Sequence, residues 1–306
     1  WQKKSQRYIA KTLGRSVSSI SRELRRNFPK EHKRYTPRLA HERALFKRAC
    51  RGRTERLKTY AIREYVVSHL KHGWSPEQIS GTAKEENVGL ISHEAIYQFI
   101  YAQIHRNGYG YLKPGREDLR PYLRRKQKRR QKKGMRKSQR IFRPKGISID
   151  ERPVIVSARA RIGDWEGDTV ESCDHKPGVN TLLERKTGLF LITKVIDRTS
   201  RATIDAMEKR MSVLPEVIKK TITLDNGPEN SDWQMMEEKT NLKTFFAHPY
   251  HSWERGANEN ANGLLREYFP KGTDFTTISD DELAAVEHRL NSRPRKRLGW
   301  MSPLQA

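Results

Sequence analysis

Three acidic residues stand in short motifs whose residue types could support metal chemistry. Asp168 ends the run WEGD, Asp225 begins DNG, and Glu259 lies within NEN. Carboxylates gathered at one point need cations or a proton to coexist. Their oxygens suit Mg²⁺, and two such ions roughly 3.5 to 4 Å apart can activate an attacking oxygen and stabilise a leaving one. The three acids are therefore candidate ligands for two magnesium ions that act on phosphate, and the alternative for each acid taken singly is a solvated or salt-bridged surface charge.

The predicted elements around these acids bring them to one edge of a sheet. In a predicted strand over 163–172, Asp164, Glu166 and Asp168 share one face, so spacing alone leaves open which of them is a ligand. Asp225 follows a predicted strand over 221–224, at the strand end where α/β domains place ligands. Glu259 lies at the start of a predicted helix that ends before Pro270.

The second half of the chain has the alternation of an α/β domain. Strand patterns cover 163–172, 181–184, 189–196, 221–224 and 244–246, and helical patterns cover 200–211, 232–239 and 259–268. This order predicts a mixed sheet with helices packed on it.

The N-terminal stretch SQRYIAKTLGRSVSSISRELRRN predicts two short helices around a turn at Gly14. Ser16 is the expected N-cap of the second helix, whose exposed side carries serines and arginines that can reach bases or phosphates. These features favour a DNA-binding helix-turn-helix over an ordinary amphipathic helix pair.

A second trihelical unit is predicted from residue 59 onward. Ser75, Pro76 and Gln78 form an N-cap, a first-turn proline and a capping box, and a third helix begins at Ser92. Its recognition segment is less basic, so a structural or dimerising role is nearly as well supported as DNA reading.

The basic segment over 124–140 contains eleven Lys or Arg residues and no acid. Such a segment cannot bury a core and should remain extended until it meets phosphate. We interpret it as a linker that grips DNA, with a merely solubilising linker as the alternative.

Composition points to the same partner. The 306 residues contain 62 Lys plus Arg against 36 Asp plus Glu, a net charge of +26, and nucleic acid is the polyanion this excess fits best. No apolar run could span a bilayer, so we expect a cytoplasmic protein with no membrane partner. Two distant cysteines exclude a disulfide framework and a cysteine-rich zinc module. We expect both ends, Trp1 and Ala306, to be trimmed from a longer protein.

His248 and His251 form a short pair near the predicted site. No third ligand at suitable spacing is expected beside them, so we interpret both as structural or DNA-contacting residues rather than as zinc ligands.

The motifs resemble those of the retroviral-integrase-type DDE transposases, whose core has a ribonuclease-H-like fold. The stretches GDWEGDTV, LDNGPEN and ERGANENANGLLREYFPKGTDF carry the three acidic motifs, and 33 residues separate Asp225 from Glu259. Together with the N-terminal stretch, WSPEQIS, ISHEAIYQFIY and LNSRPRKRLGWMSP, they are most similar to the IS-thirty family of bacterial insertion-sequence transposases. The resemblance covers nearly the whole chain.

The resemblance selects Asp168 on the first strand and implies that it binds both metals, Asp225 one and Glu259 the other. It also implies hydrolytic nicking at terminal inverted repeats, followed by attack of the freed 3′-OH on another phosphodiester, with no covalent protein intermediate. Two Mg²⁺ ions per site, replaceable by Mn²⁺, a homodimer or higher oligomer on DNA, and a bacterial, nucleoid-associated location follow from it.

The domains expected on this basis are a helix-turn-helix domain over 1–50, a second trihelical domain over 51–106, a basic linker over 107–155 and the catalytic domain over 156–306. The residues predicted to contact inverted-repeat or target DNA are Arg15, Ser18, Ser19, Arg22, Arg25, Arg26, Arg124, Arg125, Lys128, Arg129, Asn226, Arg266 and Lys271.

Two rival functions fit the same residues less well. A catalytically silent DNA-binding regulator or domesticated transposase would keep the fold, but the acidic triad is intact here. A ribonuclease H or Holliday-junction resolvase would share the metal site but predicts neither trihelical unit.

Overall fold

The computed structural model describes residues 4–28, 35–50, 56–57, 59–105, 108–124, 146–197, 199–249 and 251–306. The chain divides into two compact units, Trp1–Arg63 and Glu64–Ala306. The four-part division expected from the sequence stays a prediction. None of the helices within the described residues has the length and apolar character that a membrane span requires.

The first unit is helical. It contains α1 (Gln6–Thr12), α2 (Val17–Asn27) and α3 (Pro37–Cys50), and the sequence predicted the first two. Ser16 caps α2 as predicted, accepting a hydrogen bond from the backbone N–H of Ser19. Gly14 adopts a φ of 59° in the turn between α1 and α2, a left-handed conformation that glycine reaches without a steric penalty.

Three more helices follow: α4 (Tyr60–Lys71), α5 (Pro76–Glu85) and α6 (His93–Ala102). The predicted capping box is confirmed, because the Ser75 side chain accepts from Gln78 N–H and the Gln78 side chain accepts from Ser75 N–H. Ser92 caps α6, also as predicted.

Helix α5 packs tightly against the C-terminal segment of the same compact unit. The Gln78 side-chain amide donates to the carbonyl of Pro294 at 2.7 Å. A Cβ added to Gly81 would lie 2.0 Å from the indole of Trp300, so only glycine fits at this contact.

A five-stranded mixed sheet forms the centre of the second unit. In spatial order the strands are β3 (Phe190–Lys194), β2 (Val179–Glu184), β1 (Asp164–Val170), β4 (Thr221–Leu224) and β5 (Lys243–Phe246). Strands β1, β2 and β3 pair antiparallel, whereas β4 is parallel to β1 and β5 is parallel to β4. The parallel pairs arise because helical crossovers connect β3 to β4 and β4 to β5, so that β4 and β5 run in the direction of β1 and β3. The predicted mixed sheet is confirmed.

Helices cover both faces of this sheet. Helices α8 (Ser200–Met211) and α9 (Trp233–Thr240) bury Ile204, Met207 and Met236 against one face, where Trp165 also points. Helices α10 (Gly256–Tyr268) and α11 (Asp280–Asn291) cover the other face. The sequence predicted all of these helices except α11, while a short helix, α7 (Val154–Ser157), precedes β1.

Candidate active site

The first strand separates its three acids by environment. Asp164 and Glu166 are completely buried. Arg161 and Thr221 bind the Asp164 carboxylate, whereas Arg185 and the Asn258 backbone N–H bind that of Glu166. Their charges are therefore balanced inside the protein.

Asp168, two residues further along β1, keeps 26% of its side chain exposed. Its Oδ2 accepts a hydrogen bond from Asn262 Nδ2 at 2.8 Å, and its Oδ1 lies 3.3 Å from Arg255 Nη1. Burial raises the pKa of Asp168, and the nearby Asp225 carboxylate adds to this rise against the opposing effect of Arg255. Asp168 is thus a carboxylate with an incomplete set of cationic partners.

Asp225 begins the turn that follows β4, the neighbouring parallel strand. Its Oδ1 accepts from Gly227 N–H at 3.1 Å and from Asn230 Nδ2 at 2.9 Å. Its Oδ2 lies 2.9 Å from Arg255 Nη2. Parallel pairing of β1 and β4 therefore brings Asp225 to the same sheet edge as Asp168, as its position at a strand end predicts.

Arg255 joins these two aspartates. The guanidinium nitrogen Nη1 contacts Asp168 and donates to the Gly167 carbonyl at 3.0 Å. The other terminal nitrogen, Nη2, contacts Asp225. Burial disfavours the charged guanidinium, but the two carboxylates outweigh it and raise the pKa of Arg255. The arginine is a permanent internal cation at the centre of the site.

Glu259 lies in the first turn of α10 and is exposed. Asn262, three residues after it, shares one side of α10 with Glu259, and Arg255 is the N-cap residue that directly precedes the helix. Because these two neighbours contact Asp225 and Asp168, Glu259 occupies the side of α10 that meets the aspartates. Within the described residues, the oxygens of Asp168, Asp225 and Glu259 do not all lie within 4.8 Å of one another.

Glu229 adds a fourth acid to this edge. Glu229 lies three residues after Asn226, in the one-turn 3-10 helix Pro228–Asn230. Burial raises its pKa, and the carboxylates of Asp225 and Asp168 contribute to the rise. The cluster therefore carries more negative charge than Arg255 alone compensates.

Known proteins resemble nearly the whole length of this chain. A family model described as a helix-turn-helix domain matches residues 2–27. The chain is 37% identical over 303 residues to the transposase for insertion sequence element IS4351 of Bacteroides fragilis, covering 98% of this chain and 88% of that protein. It is 33% identical over 310 residues to transposase InsI for element IS30A of Escherichia coli K12, covering 98% of this chain and 78% of that protein. The chain belongs to the IS-thirty (IS30) family of insertion-sequence transposases.

Two solved structures resemble about half of this IS-thirty family member. The catalytic core domain of BIV integrase matches with a TM-score of 0.38 and 16% identity, over 47% of this chain and 93% of that one. The HTLV-2 integrase core in complex with magnesium matches with a TM-score of 0.35 and 21% identity, over 46% and 93%. The predicted order of an N-terminal helix-turn-helix followed by an α/β domain with a mixed sheet is confirmed by the helix-turn-helix match and by the five-stranded sheet.

In this family member, the residues predicted to contact DNA have different surroundings. Those of the N-terminal unit are all exposed, on α2 or just before it: Arg15, Ser18, Ser19, Arg22, Arg25 and Arg26. Arg124 is bound to α10, with Nη1 3.0 Å from Asn260 Oδ1 and Nε 2.9 Å from Glu267 Oε1. Arg125, Lys128 and Arg129 lie outside the described residues.

The remaining predicted DNA contacts lie near the acids. Asn226 donates from Nδ2 to the carbonyl of Ala247 at 2.6 Å, so its side chain ties the ends of β4 and β5 together. Arg266 donates to the carbonyls of Glu171 and Pro270 at 2.7 and 3.3 Å. Lys271 is exposed in the turn after α10. Their roles in DNA binding stay predictions.

Sequence reasoning missed three residues that the structure places at this site: Arg255, Asn262 and Glu229. A signal for the first two was available, because they flank Glu259 at helical spacings of four and three residues. Glu229 gave a weaker signal, since its position depends on the fold of the turn after β4.

A third potential donor that the sequence did not lead us to expect, Glu254, lies beside His248 and His251, and their interpretation as structural or DNA-contacting residues stays a prediction. His248, His251 and Glu254 are potential metal ligands, and their donor atoms all lie within 4.8 Å of one another. Within the described residues, this is the group of three or more such ligands that meets that distance. Successive i→i+3 backbone turns bring Glu254, three residues after His251, to the histidines. The acidic triad does not form such a group, and Arg255 bridges two of its members.

Proposed function

We propose that this protein is a DNA transposase that binds the terminal inverted repeats of an insertion sequence and carries out metal-dependent strand cleavage and strand transfer with Asp168, Asp225 and Glu259. One observation carries the proposal: Asp168 and Asp225, from neighbouring strands, converge on Arg255, and the same side of the following helix presents Glu259. The relatives that align over 98% of the chain carry the name transposase, which supports an enzyme that cuts and joins DNA.

The donor set fits magnesium. Asp168, Asp225 and Glu259 offer hard carboxylate oxygens, and Arg255 is one cation shared between the two aspartates, which keep 26% and 35% of their side chains exposed. Bound there, two Mg²⁺ ions, or Mn²⁺ in their place, supply Lewis-acid activation of the attacking oxygen and stabilisation of the leaving oxygen.

The protein's own groups prepare this site before any substrate arrives. Asn262 directs Oδ2 of Asp168, while Gly227 and Asn230 direct Oδ1 of Asp225. Arg255 holds the two aspartates together against their mutual repulsion. The carboxylates are thus oriented in advance, so less reorganisation is needed during the reaction.

DNA binding is assigned to the exposed arginines and serines of α2, to the basic segment over 124–140 and to Arg266 and Lys271. A high positive charge steers the protein towards DNA, where we expect it to act on the bacterial nucleoid. Two element ends must be joined in one reaction, so the active form is expected to be a homodimer or higher oligomer on DNA.

The decisive experiment measures cleavage and strand transfer on DNA that carries the element's terminal inverted repeats, with Mg²⁺ or Mn²⁺. We expect Asp168→Asn, Asp225→Asn and Glu259→Gln each to reduce cleavage by at least about 100-fold, since removing one group from a preorganised charged site has effects of this order. Band-shift affinity for the repeats should stay unchanged. Glu238→Gln, at an exposed position of α9, is the matched control and should cleave normally.

Wild-type cleavage by any of the three acidic variants would refute the assignment of that residue. Repeat binding by the wild-type protein without metal-dependent cleavage would instead support the silent regulator. Binding should also weaken steeply with salt, with a log–log slope of about −0.9 per phosphate contact on duplex DNA.

A further inference from the structure

The segment between β5 and α10 places a second group of metal donors outside the acidic triad. His248, His251 and Glu254 each contribute one donor atom, and these atoms all lie within 4.8 Å of one another. The backbone explains the grouping: His251 N–H donates to the carbonyl of His248, and Glu254 N–H donates to the carbonyl of His251. Successive i→i+3 turns stack side chains three residues apart, so these three side chains lie on one side.

Distances within the group suit a tetrahedral ion. Glu254 Oε1 is 2.8 Å from His248 Nδ1 and 3.6 Å from His251 Nδ1. Bonds of about 2.0–2.1 Å to a tetrahedral Zn²⁺ place its donor atoms roughly 3.3 Å apart. The first distance is about 0.5 Å shorter than this value and the second about 0.3 Å longer, so small side-chain movements would fit an ion.

A carboxylate already contacts the other ring nitrogen of His248. Its Nε2 lies 2.9 Å from Asp150 Oδ2, and Ser148 Oγ donates to the same carboxylate oxygen at 2.9 Å. A metal-binding histidine commonly donates its other ring N–H to a carboxylate, which fixes the ring and its tautomer. The Nδ1 atom of His251 is buried and has no hydrogen-bond partner, so it lacks the contact that an ion would supply.

We propose that His248, His251 and Glu254 bind a divalent ion of the zinc class, with Asp150 holding His248 from behind. Two imidazoles and one carboxylate match zinc sites that keep a fourth position for water, and imidazole favours Zn²⁺ or Co²⁺ over Mg²⁺. The histidine side chains are 36% and 41% exposed, which leaves a path for the ion.

The ion would stabilise the segment that leads into the acidic site. Glu254 directly precedes Arg255, whose guanidinium joins Asp168 and Asp225, and α10 begins with the next residue. Asp150 belongs to the segment that pairs with β5 through Ser148 and Phe246, so the ion would also attach this segment to the start of α10. It therefore has a positioning role, and its binding does not depend on DNA or on the proposed reaction.

The test titrates the full chain, stripped of metal, with Zn²⁺ against a chromophoric chelator and with Co²⁺ by absorption spectroscopy. We expect one tightly bound ion per chain and the visible spectrum of tetrahedral Co²⁺. His248→Gln and His251→Gln should each weaken binding at least about 100-fold, and Asp150→Asn about 10- to 100-fold. His93→Gln, an exposed histidine on α6, is the matched control and should bind normally.

An Asp168→Asn/Asp225→Asn double variant separates this site from the acidic site, and should keep the Zn²⁺ affinity and the Co²⁺ spectrum. Loss of binding in that variant, or unchanged binding in both His248→Gln and His251→Gln, would overturn the proposal. If the histidine variants misfold by circular dichroism, zinc X-ray absorption of the wild-type chain decides. A shell with two imidazoles supports the site, and a shell without imidazole refutes it.

Discussion

Removal of Arg255 tests how the two aspartates are held together. Its guanidinium contacts Asp168, Asp225 and the Gly167 carbonyl, and only 15% of its side chain is exposed. Breaking a fully buried ion pair by removing one partner costs about 3–5 kcal/mol, whereas an exposed pair contributes about 0–1 kcal/mol. Because the aspartates are 26% and 35% exposed, we expect Arg255→Met to lower the free energy of unfolding by about 2–3 kcal/mol in metal-free buffer.

For a unit of this size, such a loss corresponds to a fall in melting temperature of roughly 4–12 °C. Differential scanning calorimetry of the metal-free chain measures it directly. Mg²⁺ should then restore more stability to Arg255→Met than to the wild type, because the ion no longer competes with the guanidinium for the two carboxylates. Adding Asp168→Asn to Arg255→Met should recover part of the loss, since one of the two repelling charges disappears.

Arg266→Met is the matched control, because the Arg266 guanidinium donates to the carbonyls of Glu171 and Pro270 instead of to the aspartates. Its variant should show the wild-type response to Mg²⁺. Two results would show that Arg255 does not hold the two aspartates together. Arg255→Met would melt at the wild-type temperature without metal, or Mg²⁺ would stabilise it no more than it stabilises Arg266→Met.

Three further perturbations follow from the contacts described above. Glu166→Gln should lower the free energy of unfolding by about 3–5 kcal/mol because it leaves buried Arg185 without its counter-charge. Asp168→Asn should lower it little, and equal losses in urea denaturation would contradict the different roles of the two acids on β1. Gly81→Ala should lower the free energy of unfolding by at least about 1–3 kcal/mol, because the new Cβ would clash with Trp300. Gly256→Ala has open space around its Cβ and should be tolerated, and thermal melts of the two variants test this difference. The hydrogen bond from Lys176 lowers the pKa of Asp274 from 3.8 to about 2, so the stabilising contribution of Asp274 is complete above about pH 4 and lost as the pH falls towards 2. Asp274→Asn should flatten the dependence of unfolding free energy on pH in this range, and an unchanged dependence would refute the assignment.

The elements of the fold could be predicted from local pattern. Period-two and helical periodicities located all five strands and most helices of the second unit, and the caps at Ser16, Ser75 and Ser92 were found because capping depends on a few adjacent residues. Helix α11 was missed although Ser279 and Glu282 form a capping box, which was an available signal.

The candidate site was only partly predictable, because its contacts join residues distant in sequence. The pattern placed Asp164, Glu166 and Asp168 on one face but could not rank them, since their difference lies in partners such as Arg161 and Arg185. Family resemblance selected Asp168, and its partial exposure is consistent with that choice.

By itself, the sequence determined the charge of the protein, its helix and strand segments and the three acidic motifs, because each depends on composition or on residues within a few positions of one another. Only the tertiary structure decided that Arg255 bridges two of the acids and that Glu254 joins His248 and His251. Parallel pairing of β1 with β4 and the turns before α10 create these contacts, and their energies depend on burial and distance rather than on sequence spacing.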